Sequence, residues 1–475
     1  TDNYYQPHYQ LHNTWDIADN LRLQNTLYYI RGEGFFNVSY PSWWGYGWDS
    51  WGLEYPGVAI GDMVARQHVE NHQGGWQPRL TWKLNDHTLD IGVQYISHRS
   101  RHYGELIWGA VLPDGTEPNH VWYDYEGRKR IISGYVQDRW KVTPRLYLNG
   151  AVQVANIEYG IQNDKFNDMQ LTQPYTFFMP RAGASFKATD NLRLWTSFSR
   201  ITREPRLKDH FWGETGYPVI RYDDPIKYED PQIKPETLND FEVGVEHSGR
   251  RHFLGLTGYL MDMENEIVDI GIYDVTGQPV IENADKTRRY GVELAGRIQF
   301  DYGLFVEGNL NFSQNRFVEY KTTIPLLDQN YETQYRRMNL ADNRIINAPE
   351  QIFNIAAGVH RPLFDIVISA HHVGERFVAN TENFGLSDAN ISTYGQDRSL
   401  GRYTRVDLNA AVRLIGSPGS AGLYTRLGMP QVELTVHVRN LLDEEYNLSG
   451  SADQWDVYVI PAATRHYFVG VKVTL

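Results

Sequence analysis

The chain of 475 residues carries a formal net charge of −13 and no cysteine, which excludes a disulfide framework, thiolate metal sites and cysteine nucleophiles. By length alone roughly two or three globular domains would be expected, and a sequence pI near 5.7 argues against a nucleic-acid partner, which needs a basic face. Thirteen Trp, 32 Tyr and 19 Phe exclude a disordered chain. No apolar run reaches the roughly 18 to 20 residues of a membrane helix, whereas a mean hydropathy of −0.51 leaves open a membrane β-barrel, whose strands alternate.

Thr1 to Tyr9 has neither a basic nor an apolar leader region, so a signal peptide is expected to have been removed or the chain to belong to something longer. From there the hydrophobic period is two. A weak segment at Tyr9 to Trp15 is followed by Leu21 to Ile30, a weak one at Gln77 to Leu84, then Thr88 to Ser97, Arg130 to Val142 and Leu146 to Tyr159. Arg181 to Phe186, Leu192 to Arg200, Leu238 to Glu246, Phe253 to Met261, Gly291 to Ile298 and Phe305 to Phe312 continue the series. Ile352 to His360, Ile366 to Val373, Val406 to Leu414, Val432 to Asn440 and Arg465 to Leu475 complete it. In the last, Tyr467, Val469, Val471, Val473 and Leu475 are apolar, with His466, Gly470, Lys472 and Thr474 on the alternate positions. About 17 strands and no helix are predicted.

The links alternate in length. Asp19-Asn20, Asn85 to His87, Pro144-Arg145, Asp190-Asn191, Gly249-Arg250, Asp301 to Gly303 and Arg361-Pro362 suit tight hairpins. Phe36 to Gly74, Arg203 to Pro235, Glu319 to Pro349 and Val378 to Gly401 are long, and Gly416 to Pro430 is the one expected short link that is not. Sorting short turns to one end and long loops to the other is the habit of outer-membrane barrels, and Tyr28, Tyr29, Trp82, Tyr95, Trp140, Trp195 and Tyr259 would form their interfacial girdles. With the short turns in the periplasm, Thr1 would start outside the cell. An odd count starting there is expected of a barrel that lacks its first part.

Four elements in order resemble the TonB-dependent outer-membrane receptors, which take up scarce iron complexes, cobalamin and some glycans. They are Met179-Pro180-Arg181-Ala182-Gly183 with Trp195 to Arg200 and Arg203-Glu204-Pro205; Asp230 to Glu236 followed by Phe241 to Glu246; Asn283 to Glu293 with Tyr290-Gly291-Val292-Glu293; and Asn440-Leu441-Leu442-Asp443-Glu444-Glu445-Tyr446. Asp230 stands where the family has Asn, Ile233 where it has Leu, and Leu475 where it ends in an aromatic. The resemblance implies an all-β fold, a transmembrane antiparallel β-barrel of the 22-stranded receptor type. Residues 1–475 would then be its C-terminal part, strands 6 to 22, with the plug domain and first strands absent. It further implies an importer, not an enzyme, embedded in the outer-membrane bilayer of a Gram-negative cell. Such an importer would be driven by a periplasmic TonB-type energy-coupling protein, with a surface lipoprotein as a further partner. No cofactor is expected, iron arriving within a ferric siderophore. Haem or cobalamin uptake, a passive porin and an adhesin are the alternatives.

For ligand contact the sequence offers Phe35 to Tyr55, with nine aromatics. Exposed, they must pack on one another or on a ligand. Trp43, Trp44, Tyr46, Trp48 and Trp51 would form a stacking platform, the alternative being a self-packed loop core. Arg66, His68 and His72 follow in what reads as the same loop, where solvated histidines are the main reading and help in holding an iron complex the minor one. His68-Val69-Glu70-Asn71-His72 is not the His-Glu-x-x-His of a zinc site, and its spacing needs a helix that the pattern does not support. Asp223, Asp224, Glu229 and Asp230 lack calcium-loop spacing. Of His371 and His372, on one strand, at most one faces inward. No phosphate-binding Gly-rich loop or Gly-x-Ser-x-Gly elbow occurs.

Overall fold

The computed structural model describes residues 2–44, 47–166, 169–210, 233–273, 279–327, 333–382, 397–415, 431–452 and 457–474. The chain separates into two compact units, Thr1–Ala182 with Arg200–Glu236, and Gly183–Ser199 with Thr237–Leu475. The first unit holds Asp2–Tyr5, His8–Ala18, Leu21–Tyr40, Met63–Leu84, His87–Gly109, His120–Lys141, Leu146–Gln162 and most of Leu171–Lys187. The second holds most of Leu192–Arg203, then Glu236–Ser248, His252–Tyr273, Pro279–Gln299, Leu304–Glu319, Gln351–His360, Phe364–Val373, Tyr403–Ile415, Gln431–Arg439 and His466–Thr474. These are the 18 strands of the main sheet. Because Asp2–Tyr5 and His8–Ala18 both pair with Leu21–Tyr40, they act as one interrupted strand, leaving the 17 positions that the sequence predicts.

Each unit has an apolar face and a polar face, because side chains alternate along a strand. In the first unit Leu27 lies opposite Trp76, Trp76 opposite Tyr95 and Tyr95 opposite Ile132, all more than 40% exposed. On the other face Asp90 is buried under Arg79, Arg139 and Thr81. In the second unit Leu256 faces Leu294 and Val292 faces Phe312 on the apolar side. Its polar side pairs Glu293 with Asn311 and Arg289 with Glu266. Here Trp195 lies flat over Gly244, where an added Cβ would come within 2.3 Å of the ring, so glycine there makes room for the aromatic.

Several strands run well past their predicted ends. The apolar alternation of Thr88 to Ser97 becomes a 23-residue strand, His87–Gly109. Roughly 9 to 11 residues suffice to span a bilayer, and just past that point His98, Arg99, Ser100, Arg101 and His102 put polar side chains on both faces, so the period-two signal vanishes while the ladder continues. The expected loop Phe36 to Gly74 therefore shortens to residues 41–62, and Arg66, His68 and His72 belong to the strand Met63–Leu84, not to a loop. The long link after Glu319 contains a hairpin, Lys321–Leu327 with Thr333–Asn339, and a second hairpin joins Asn447–Ala452 to Val457–Pro461. The tight links at 19–20, 85–86, 249–251 and 361–363 are as predicted, whereas Gly416 to Pro430 lies outside the described residues.

Candidate ligand-binding site

In the first unit, the loop after Tyr40 is closed at its base by the Ser42 amide, which donates to the Asp62 carboxylate at 2.7 Å. Two short 3-10 turns follow, Ser42–Trp44 and Trp48–Trp51. Gly52, at φ 63°, ends the second turn in the left-handed conformation that glycine adopts without strain. Its amide donates to the Asp49 carbonyl and that of Leu53 to the Trp48 carbonyl, both at 3.0 Å. The Trp48 indole N–H donates to the Val58 carbonyl at 2.9 Å, pinning the far half of the loop.

The two ends of this aromatic run behave differently. Trp51 is 2% exposed and meets Tyr40 edge-on at 5.1 Å and Trp122 at 4.9 Å. Around them Met63, Ala65, Leu106, Tyr123 and Tyr125 complete a buried cluster. His120 approaches the Trp51 carbonyl at 2.8 Å. Trp43 is 79% exposed, and Trp48 is half-buried against Tyr55. Tyr46 and the side chain of Trp44 lie outside the described residues.

Arg66 and His68 do not join that cluster. Gln67, between them, donates to the Tyr40 hydroxyl at 2.7 Å on the loop side, so strand alternation turns its neighbours to the opposite face. There Arg66 lies over the Phe35 ring and donates to Asn37, while His68 stacks on Tyr103 at 4.4 Å and meets Glu105 at 3.0 Å. His68 and His72, four residues apart on a strand, stand about 13 Å from each other, too far to share a metal ion. Among the described residues no group of three or more His, Asp or Glu side chains is placed to hold one, and Asp223, Asp224, Glu229 and Asp230 lie outside them.

The polar face of this unit carries two further features. The apolar band on its strand ends at Tyr95, and His102 stands seven residues, about 23 Å, beyond it. Burial against Tyr125, 5.1 Å away, pushes the His102 imidazole down to about 4, and Ser100 meets its Nε2 at 2.9 Å. The segment after Arg203 folds back over the strands His120–Lys141 and Leu146–Gln162. There Glu204 binds Lys129 at 2.6 Å, and the Tyr159 hydroxyl donates to the Pro205 carbonyl at 2.8 Å.

In the second unit the polar face carries an open cavity of about 640 Å³, lined by Arg297, Glu307, Asn309, Asn354, His371 and Arg405 among others. The Asn354 amide donates to Asn309 at 2.8 Å and its oxygen accepts from His371 Nδ1 at 2.5 Å, which fixes Nδ1 as the donor. Asp407, almost fully buried, holds Arg439 at 2.9 Å, Arg405 at 3.2 Å and the Asn440 amide at 2.9 Å. Asn440 opens the Asn440 to Tyr446 element at φ 53° and bonds both the amide and the carbonyl of Glu444, bringing Tyr446 onto Tyr403 at 3.9 Å. His372, on the opposite face, stacks on Phe353. Of this lining the sequence singles out only His371, as one of a pair of which at most one faces inward; the rest has its signal in the polar half of the alternation, Arg405, Asp407 and Asn409 interleaved with Val406 and Leu408.

Against known proteins, the family described as TonB dependent receptor-like, beta-barrel matches residues 1–441. The chain belongs to this family, whose members are outer-membrane β-barrels and receptors, not enzymes. Among solved structures it is similar to the copper transporter OprC, with 13% identity, a TM-score of 0.68 and coverage of 99% of this chain and 65% of that one. It also resembles the siderophore receptor PiuA from Acinetobacter baumannii (16% identity, TM-score 0.66, coverage 99% and 64%). The ferric citrate transporter FecA gives 12% identity, a TM-score of 0.68 and coverage of 100% and 62%. At these identities the likeness is one of fold, and the chain spans about two-thirds or less of the length of each.

Proposed function

We propose that this chain is the C-terminal part of the barrel, strands 6 to 22, of an active importer that takes up a ferric siderophore. The ligand binds at the long-loop end, and transport is coupled through a plug domain to a periplasmic TonB-type protein. The observation that carries the reading is the family match over nearly the whole chain, together with an aromatic loop in which Trp43 is 79% exposed while Trp51 is packed in the core. The Trp43 ring offers its face to a planar chelate, with Trp44 and Tyr46 beside it in sequence. Trp48 and Trp51 hold the loop that presents them, and on the opposite strand face Arg66 supplies charge and His68 a polar ring. PiuA and FecA, both iron-complex receptors by their descriptions, support an iron chelate as cargo. A non-iron metal cargo is the second reading, favoured by the equal likeness to OprC. A surface lipoprotein that delivers the ligand belongs to the same proposal.

The test is growth of a strain deleted for the gene, supplied with single iron sources and separately with limiting copper. A defect confined to one siderophore class supports the reading. Unaltered growth on every siderophore and on haem removes the iron reading, and a copper-specific defect establishes the second.

A further inference from the structure

Two histidines stand on the polar face of the first unit, His98 and His102, both beyond Tyr95 on the strand His87–Gly109. Cross-strand register gives each its neighbours. Gln73 and Lys129 lie opposite His98, Asn71 and Gly127 opposite Ser100, and Val69 and Tyr125 opposite His102. One strand further, Tyr159 stands opposite Lys129 and Ile161 opposite Gly127. None of these is a carboxylate. His102 stacks on Tyr125 at 5.1 Å, with its Nε2 2.9 Å from the Ser100 hydroxyl, while His98 Nδ1 is buried with no hydrogen-bond partner.

Over these positions lies the segment after Arg203, residues 204–209, held by three contacts. Glu204 binds Lys129 at 2.6 Å, and the Pro205 carbonyl accepts from the Tyr159 hydroxyl at 2.8 Å. Leu207 packs both against the Trp51 cluster and against the cluster of Ile157, Tyr159 and Phe177. It also reaches the backbone beside Ser100, since a Cβ at Gly127 would stand 3.7 Å from the Leu207 side chain and 2.9 Å from the Ser100 hydroxyl. The acids of the segment are engaged, Glu204 on Lys129 and Asp209 on Arg206 at 2.8 Å, so neither imidazole meets a counter-ion when it gains a proton. A charge buried without a partner is costly, whereas an imidazolium in water is not.

We infer that residues 204–209 form an acid-released strap: protons taken up by His98 and His102 lift it from the polar face and loosen the aromatic loop that shares the Trp51 cluster. The inference deepens the proposed function by making the hold on the ligand pH-dependent, and it rests on that reading only for what the loop holds. The sign follows from burial. His102 titrates at about 4 with the strap in place and at its ordinary 6.5 once exposed, so the closed form is favoured above pH 6.5 and loses ground as pH falls toward 4. For this one ring the opening constant rises about tenfold between pH 7.5 and 5.5, a window above the ordinary carboxylate range. A proton on His98 adds a cation beside Lys129, which raises the cost of the closed form further.

The test is hydrogen exchange on the full-length receptor in detergent, without ligand, at pH 7.5 and 5.5, corrected for intrinsic exchange rates. The Asp209 amide, which donates to the Arg206 carbonyl at 2.9 Å, reports the strap, and the Leu53 amide reports the aromatic loop. The Lys141 amide, which donates to the Asp86 carbonyl at the far end of the strand that carries Lys129, reports the wall. In the wild type, exchange at Asp209 and Leu53 accelerates about tenfold in acid while Lys141 stays constant. H98Q/H102Q removes the acceleration, and E204Q raises exchange at Asp209 by about two- to fivefold at both pH values while keeping the acid dependence. Wild-type exchange that ignores pH at either amide overturns the inference, as does a double variant that keeps the dependence. So does E204Q without it, which would assign the proton to Glu204. Where the double variant also deprotects Lys141, and so has lost the wall, H102F takes its place, and an acid response there equal to the wild type overturns the inference as well. None of these readouts involves a cargo, so a working strap in a receptor whose deletion leaves growth on every iron source unaltered removes the proposed cargo alone.

Discussion

Replacing Trp51 by Ala separates the two roles that the aromatic loop could play. Trp51 is 2% exposed and makes ring contacts with Tyr40 at 5.1 Å and Trp122 at 4.9 Å. Deleting a buried Trp costs about 3 to 5 kcal/mol through lost transfer energy and the cavity left behind, and each edge-on ring pair adds roughly 0.5 to 1.5 kcal/mol. A central figure of about 4 kcal/mol is close to a thousandfold in a local opening constant. The loop reports this through one amide, that of Leu53, whose hydrogen bond to the Trp48 carbonyl closes the turn containing Trp51. Hydrogen exchange at Leu53 in the ligand-free protein should accelerate by roughly two to three orders of magnitude. Trp43→Ala is the control. At 79% exposure its loss should change stability by less than about 0.5 kcal/mol, while ligand affinity falls. Leu53 protection that shifts less than about tenfold in W51A would refute the packed-core argument, because a ring buried among those neighbours cannot leave without loosening the turn.

Further outcomes follow from the buried polar groups. Asp90→Asn leaves Arg79 and Arg139 facing a neutral amide on a buried position; because both arginines are about half exposed, the cost should be about 2 kcal/mol, read from urea unfolding in detergent. Asn440→Ala removes the side-chain bonds to Glu444 and Ala463 and puts at φ 53° a residue that lacks the local hydrogen bonding by which Asn tolerates the left-handed region, so the 440–446 turn should lose about 3 kcal/mol of local protection by hydrogen exchange. His102, neutral in the fold down to about pH 4, is protonated first in the opened chain as pH falls below its ordinary value of 6.5. Acidification from pH 6.5 to 4 should therefore remove about 3 kcal/mol of local stability around Tyr125, and His102→Phe should flatten that dependence.

The strand series and its parity were legible because burial on one face and lipid-type exposure on the other impose a period of two on Tyr467, Val469, Val471 and Val473. Each tight link carried turn chemistry, as at Asp19-Asn20, for the same local reason. What escaped was whatever lies beyond the apolar band. Arg99, Arg101 and Glu126 read as polar link because both faces of their strands are polar. The site was half legible: nine aromatics in one short stretch announce packing, but no sequence pattern distinguishes Trp51, which is buried by Trp122 from 71 residues away, from Trp43, which is not. The polar cavity around His371 and Asp407 depends on contacts between strands far apart in sequence, which periodicity cannot register.

The strand extensions carry a physical problem of their own. Register is set firmly where one face is buried, since a one-residue slip would reverse every side chain, and weakly where both faces are polar. In the first unit the strands Met63–Leu84, His87–Gly109 and His120–Lys141 have 22, 23 and 22 residues, roughly twice what a bilayer spans. In their upper halves the register is held by charge. Arg99 pairs with Glu126, Arg101 with Asp124, Arg130 with Glu158, and Lys165 reaches Asp124 as well. Each exposed pair contributes little alone, yet a slip by one residue would turn these partners to opposite faces and unmake all of them together. Charge therefore does above the apolar band what hydrophobic alternation does within it. Between Leu21–Tyr40 and Met63–Leu84 the same task falls to polar contacts, Arg66 on Asn37 and Gln67 on Tyr40, beside Tyr40 and Met63, the two registered positions from which the aromatic loop is presented.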